Sequence, residues 1–362
     1  MQTPPAPDTL PRRRDLVVIG GSAGAIPPLK KILAALPSDL PAAVAIVLHV
    51  PAASTGIFAT VASAASRLAL APTTDGEAVR PGRLYIAPPD SHLLIIEGRI
   101  RLGRGPRENL VRPAIDPLFR SAALDAGSRV VGVVLSGMMN DGASGLSAIK
   151  ARGGAAIVQS PESAVAGEMP LAALDAAQAD VVCEPEAIAA AIVRLVHEAP
   201  APERPVPKGL RLDVAIAAGS GITTKSRADY AVPVPLTCPD CGGVLSQVAD
   251  GGPIRFRCQV GHGFTGRVLE QSQEGQVDEA MRVALRIIEE RADLVDRMGR
   301  DALSNARPAM AAMYAARARE YRDHADALRQ AVLHRMDAEV GETPTDLVAE
   351  AEVVGSRPSD EL

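Results

Sequence analysis

The feature that most constrains this chain is a succession of short, wholly apolar runs, each followed by a segment with helical spacing. Leu16-Val-Val-Ile19 ends in glycines and is followed by Leu29, Ile32, Leu33 and Leu36, which reads as strand, turn and helix. Val44 to Leu48 is the next such strand, with a helix near Ile57 to Ala69. A hairpin-like stretch is expected over Leu84 to Ala87, Leu93 to Ile96 and Ile100 to Leu102, then a helix around Asp116 to Ala126. Strands at Val130 to Leu135, Ala155 to Val158 and Asp180 to Val182 alternate with helices at Ser144 to Arg152, Leu171 to Ala177 and Pro185 to His197. A strand apolar at every position must be covered on both faces. The pattern therefore predicts an α/β fold, doubly wound, with a mostly parallel sheet between two helical layers.

That domain is expected to occupy 15–197, after a disordered lead-in over 1–14 with four prolines and three consecutive arginines. Residues 198–236, with six prolines and no sustained pattern, read as a linker. A compact Cys/His segment follows at 237–270, then a helical hairpin at 274–340 broken near Asn305 to Pro308, then a disordered tail at 341–362. In the hairpin, Val277, Met281, Ala284, Leu285, Ile288, Leu294, Val295 and Met298 recur at helical spacing and are expected to form its seam. A solvated charged face is the plain reading of its surface, and self-association through the helices the sharper one.

With 362 residues and 47% hydrophobic content the chain can build one sizeable core and a smaller module. A net charge of -5, no Trp, and only four Phe and four Tyr argue against nucleic acid as a partner, since neither a basic field nor a stacking platform is available. No apolar run has the roughly 18 residues of a membrane helix, so neither membrane insertion nor a secretory leader is expected, and the location implied is cytoplasmic.

Three candidate catalytic residues fall at strand ends. Gly20-Gly-Ser22-Ala-Gly24 fits G-x-S-x-G between a strand and a helix, where small neighbours let a sharp turn expose the serine hydroxyl. A glycine-rich phosphate loop is the competing reading, but the chain has neither G-x-G-x-x-G nor a Walker lysine there. His49 directly follows the second strand and should share a sheet edge with Ser22. Asp141, after the strand Val130 to Leu135, could orient the imidazole through Nδ1; its competing reading is the N-cap of the following helix. Asp75, Asp90, Asp116 and Asp125 are less well placed.

These residues resemble the catalytic domain of the chemotaxis protein-glutamate methylesterases, the CheB family. The resemblance covers about 15–197 in several separated motifs: Gly20 to Gly24, Leu48-His-Val-Pro51, Gly82 to Pro88 with Asp90 and His92, Arg112 to Phe119, Leu135 to Gly145, and Gly167-Glu-Met-Pro170. It implies Ser22 as nucleophile, His49 as general base and Asp141 as its orienting carboxylate. The backbone N–H groups of Ala23 and of the Gly137-Met138 turn are the candidate oxyanion donors, the latter suggested by the family. It further implies a methyl-accepting chemotaxis receptor, or another methylated signalling protein, as substrate, and no cofactor for catalysis. A glutamine amide could follow the same acyl-serine route. Where the family commonly has Thr, Gly and a basic residue, this chain has Ala23, Met139 and Leu171. Only fourteen residues precede the first strand, so the family's receiver domain is expected to be missing and phosphorylation within the chain not to be the switch. Those departures leave a non-catalytic adaptor as the alternative.

Three of the four cysteines fall within twenty-one positions, too few in too long a chain for a disulfide framework. Cys238-x2-Cys241, x16, Cys258-x3-His262 offers three thiolates and an imidazole, a full tetrahedral set for structural Zn2+. Gly242-Gly243 and Gly261 to Gly263 would allow the tight turns. A redox CxxC pair is the competing reading and lacks a thioredoxin-like context. Some stand-alone CheB-like proteins are similar in carrying such a segment before a helical hairpin. Cys183 reads as a buried core thiol.

Overall fold

A computed structural model describes residues 13–50, 55–220, 230–249 and 252–341. Most of the lead-in and the tail after 341 lie outside the described residues. Two compact units are present, 1–271 and 272–362.

In the first unit, β1 (Leu16–Gly21), β2 (Ala43–Leu48), β3 (Ala69–Leu70), β4 (Arg83–Ile86), β7 (Val130–Val134), β8 (Ala155–Gln159) and β9 (Val181–Cys183) form a seven-stranded sheet in the order β3-β4-β2-β1-β7-β8-β9. All its pairings are parallel. Alternate side chains go to opposite faces. Val17, Ile19, Val44 and Ile46 pack with Leu29, Ile32 and Leu33 of α1 (Ile26–Ala35) and Ile188 and Ile192 of α6 (Pro185–His197). Val18, Ala45 and Val47 pack with Leu118 and Phe119 of α3 (Ile115–Ala126), Leu146 of α4 (Ala143–Ala151) and Met169 of α5 (Glu168–Ala176). Between the faces β1 and β2 are buried at every position, as the sequence pattern requires. Helix α2 spans Thr55–Ala65.

Leu84 to Ala87 does not belong to a hairpin. Its core, β4, pairs in parallel with β2, and only β5 (His92–Ile96) and β6 (Arg99–Gly103) form the antiparallel ribbon. A short apolar run looks the same in either setting, so composition could not separate them. Arg14 of the lead-in is anchored: its guanidinium donates to Leu195 O at 3.0 Å.

The stretch 198–236 is not simply a linker. It holds α7 (Leu210–Ala217), with Leu210, Asp213, Val214 and Ile216 buried, and β10 (Ala231–Thr237). Strand β10 starts a second sheet, antiparallel in the order β10-β11-β12-β13, with β11 at Val244–Val248, β12 at Arg255–Cys258 and β13 at Gly263–Thr265. The prolines and the lack of a sustained apolar period hide this packing, because α7 and the second sheet bury charged side chains among their apolar ones. Arg257 reaches Glu108 at 3.0 Å and Asp213 at 2.7 Å, Arg255 reaches Asp213 at 3.0 Å, Arg120 pairs with Glu108, and Tyr230 bonds Asp213. Burial would raise the pKa of Glu108 and of Asp213, but the surrounding guanidinium groups hold both low. Removing one partner strands a buried charge, which costs about 3–5 kcal/mol. Arg257→Ala is therefore expected to destabilise the first unit by that amount in denaturant titration; a loss below about 1 kcal/mol would contradict the pairing.

The second unit contains most of the helix Gly266–Ser304 and the whole of Pro308–Gly341, with the break at 305–307. The expected seam differs. Ala292, Ala302, Ala311, Ala318 and Ala325 are buried, whereas Val277, Leu294 and Met298 are exposed and Met281, Ala284, Leu285, Ile288 and Val295 half-buried. Ala311, Ala318 and Ala325 recur every seven residues, and small side chains bring helices close. Arg322–Asp296 at 3.1 Å and Arg291–Tyr321 at 2.8 Å bridge the pair. No helix among the described residues is long and apolar enough to cross a membrane.

Candidate active site and metal-ligand cluster

The sheet order reverses at β1. The chain builds outward through β2 and β4, then returns to β7 on the other side, and such a reversal opens a crevice at the carboxyl ends of the strands. Gly21 and Leu48 are register partners, so Ser22 and His49 are the next residues on adjacent strands roughly 4.8 Å apart. His49 N–H donates to Gly21 O at 3.2 Å and continues the ladder.

Ser22 is half-buried on its turn. Its N–H donates to Ser136 O at 2.9 Å, while Ser136 Oγ donates to Ala23 O at 2.7 Å, so the end of β7 pins the turn from both sides. Gly24 has φ +74, and a Cβ there would come within 2.5 Å of Val165 and 2.8 Å of Ser136 Oγ. Only glycine fits.

Asp141 is 2% exposed and its Oδ2 lies 2.9 Å from His49 Nε2. It does not cap α4, whose N-cap is Gly142. It sits instead at the start of α3: Oδ2 accepts from Ile115 N–H at 2.6 Å, and Oδ1 from Asp116 N–H at 3.2 Å, Gly142 N–H at 3.0 Å and Asn109 Nδ2 at 3.0 Å. A helix start leaves N–H groups without partners and carries partial positive charge, and both suit a carboxylate. Burial pushes the Asp141 pKa up, but the His49 hydrogen bond and charge, with the Ile115 and Asn109 donors, bring it below the ordinary value. The ring contact corrects the expected geometry. Asp141 meets Nε2, so Nδ1 is the nitrogen left for a substrate-side proton.

The neighbouring N–H of Ala114 donates to His92 Nδ1 at 3.3 Å, which leaves His92 Nε2–H to donate to Pro106 O at 3.0 Å. This ring is neutral and structural, its pKa lowered by burial. Asp116 is buried beside Asp141, and desolvation and the Asp141 charge raise its pKa to about 7. Among the candidate oxyanion groups, Gly137 N–H is taken by Ala166 O, and the next N–H after that turn, of Met139, by Glu168. Ala23 and Met138 are exposed, and their N–H groups have no acceptor among the described residues. Beside His49 a cleft is lined by Leu48, Phe58, Ile86, Pro89, Arg107 and Arg112. Asn109, Ser136 and the α3 start were not singled out as site residues in the sequence, although Arg112 to Phe119 is one of the motifs quoted above.

In the second sheet, Cys238 and Cys241 occupy the turn after β10, Cys258 is the last residue of β12, and His262 lies in the turn between β12 and β13. Gly242 at φ +71 and Gly261 at φ +109 make both turns tight. The four ligand atoms lie within 4.8 Å of one another, with Cys241–Cys258 at 3.7 Å, Cys238–His262 at 3.7 Å and Cys258–His262 at 3.5 Å. A tetrahedron with bonds of about 2.3 Å has edges of about 3.8 Å, so these side chains fit one metal ion. His262 turns Nδ1 to the thiols and Nε2 toward Asp240 at 3.8 Å. Cys183 is only half-buried at the end of β9.

A family model described as CheB methylesterase matches residues 17–192. A protein of Leptospira interrogans named putative protein-glutamate methylesterase/protein-glutamine glutaminase is 37% identical over 182 residues, which span 50% of this chain and 94% of that protein. Protein-glutamate methylesterase/protein-glutamine glutaminase 1 of Oleidesulfovibrio alaskensis is 39% identical over 189 residues, 51% of each chain. The crystal structure of the Thermotoga maritima CheB methylesterase catalytic domain is 34% identical, with a TM-score of 0.48, over 50% of this chain and 98% of that one. The chain belongs to the CheB methylesterase family. It spans about half the length of several of the curated relatives it matches.

Proposed function

We propose that the chain hydrolyses γ-methyl esters of glutamate side chains on a methylated receptor protein, with Ser22 as nucleophile, His49 as general base and Asp141 as its partner. The observation that carries this reading is the buried Asp141 carboxylate bonded to His49, one strand from the Ser22 turn, in a member of the methylesterase family. Because Nε2–H donates to Asp141, Nδ1 carries the lone pair that takes the Ser22 proton as Oγ attacks the ester carbonyl. The N–H groups of Ala23 and Met138 are the donors for the tetrahedral oxyanion. As the carbon–methoxide bond breaks, the imidazolium returns its proton and methanol leaves. Water then gives a proton to Nδ1 and attacks the acyl carbon; Ser22 Oγ recovers that proton and the glutamate carboxylate departs. A glutamine side chain would release ammonia by the same steps.

The reading is tested by methanol release from methylated receptor membranes. Wild-type chain that releases none from any glutamate methyl ester refutes it. Asp141→Ala removes the orienting partner and is expected to lower kcat about 10^4-fold with the fold retained.

The Cys238, Cys241, Cys258 and His262 set is proposed to hold one structural Zn2+. Three thiolates and an imidazole at tetrahedral edge lengths support this, and four protein ligands leave no open position for chemistry.

A further inference from the structure

A single amide joins the Asp141–His49 pair to the sheet that carries the cysteines. Asn109 is 6% exposed. Its Nδ2 donates to Asp141 Oδ1 at 3.0 Å and to Asp116 Oδ2 at 3.3 Å, while its Oδ1 accepts from the backbone N–H of Thr265, on β13, at 3.0 Å. The backbone N–H of Asn109 donates to Gly263 O at 2.8 Å, also on β13. An amide group has one accepting end and one donating end. The Thr265 N–H can face only the accepting end, so β13 fixes which way the amide points, and the donating end must face the two carboxylates. Without β13 the amide could turn its oxygen toward Asp141, a contact between two acceptors.

Other contacts tie the same loops to the second sheet. Thr265 Oγ1 donates to Asn140 Oδ1 at 2.6 Å, next to Asp141. Met139 holds φ +63, a conformation that favours glycine, yet its half-buried side chain packs against the apolar cluster that contains Cys238, Cys258 and Phe264. Glu108, beside Asn109, receives Arg257, the residue before Cys258. Residues 108–109 and 139–140 are thus held by the segment that the cysteine and histidine ligands close.

We infer that Asn109 is a positioning residue for the Asp141–His49 pair, and that the Cys/His sheet sets its orientation through Thr265, so that loss of the metal-holding fold loosens the hydrolytic site. The inference rests on the reading of Asp141 and His49 as a working pair. A role for Asn109 in docking the sheet alone would leave that pair untouched, which makes the two separable.

The proton between His49 Nε2 and Asp141 gives a low-field nuclear magnetic resonance signal, assigned by its loss in His49→Gln. In Asn109→Ala that signal should move or vanish while circular dichroism and metal content stay those of wild type. With the methyl ester substrate, kcat should fall about 10- to 100-fold and KM change less than about twofold, the range seen when an outer partner of a site is removed. Asn109→Leu, which fills the same space without either bond, should behave likewise. Stripping metal from the wild-type chain with a chelator should disturb the signal in the same sense, and in Asn109→Ala should add little, because both changes break one path. An unchanged signal and kcat in a folded Asn109 variant, or in metal-stripped wild type, would overturn the inference. Should wild type release no methanol yet its signal respond as stated, the substrate assignment fails and the positioning role stands.

Discussion

Replacing Ser22 by alanine is expected to lower kcat for glutamate methyl ester hydrolysis about 10^6-fold, the largest effect of any single side chain in the site. Without Oγ no acyl-enzyme can form, and His49 and the oxyanion groups can only assist direct attack by water. The fold should be indifferent to the change: the turn is held through the Ser22 backbone N–H and through Ser136, and among the described residues the Ser22 hydroxyl makes no bond that holds it. Methanol release should therefore vanish at unchanged melting temperature, and no acyl group should be trapped on quenched enzyme. Retention of activity within tenfold of wild type would mean that another group attacks the ester.

The second large effect concerns the metal. Cys258 is buried at the end of β12, an inner strand of its sheet, and its thiol faces both Cys241 and His262. The apolar cluster to which it belongs has six buried members, Cys258 included, too few to hold a small sheet without a staple. Structural zinc binding is worth about 10–16 kcal/mol in isolated zinc-finger peptides at neutral pH, and it is available only to the folded segment. Cys258→Ser is expected to reduce bound zinc from about one equivalent per chain to near none, read by elemental analysis, and to abolish hydrogen-exchange protection over 231–265. Protection that persists in the metal-free variant would show that the buried ion pairs of Arg255 and Arg257 suffice.

The α/β class was legible because a strand buried on both faces leaves a residue pattern that nothing polar interrupts. The positions of Ser22 and His49 were legible for a related reason: a strand end and a glycine turn are local features, and parallel register carries two such ends to one edge. Asp141 was found by the same rule with His49 as its partner, but through the other ring nitrogen, and its contact with the start of α3 was not legible because it joins segments that no local pattern connects. The stretch 198–236 was misread for a different reason. Its helix and strand bury Asp213 and reach Arg255 and Arg257, and a buried charge looks in sequence like a solvated one. In the helical hairpin the expected seam was mostly large apolar residues, of which several are half-buried, whereas the fully buried positions are alanines, because close packing rewards small side chains.

By itself the sequence determined the parallel α/β sheet, the glycine turn that presents Ser22, the placement of His49 at the next strand end, and a ligand set with zinc spacing. These depend on hydrophobic period, backbone conformation and short spacings, which are properties of neighbouring residues. The tertiary structure alone decided that Asp141 meets His49 Nε2, that the helix start at Ile115 steadies its charge, and that Asn109 ties this carboxylate to Thr265. Each of those is a hydrogen bond between residues 26 to 156 positions apart, and the partner of a buried polar group is chosen by packing, not by its place in the chain.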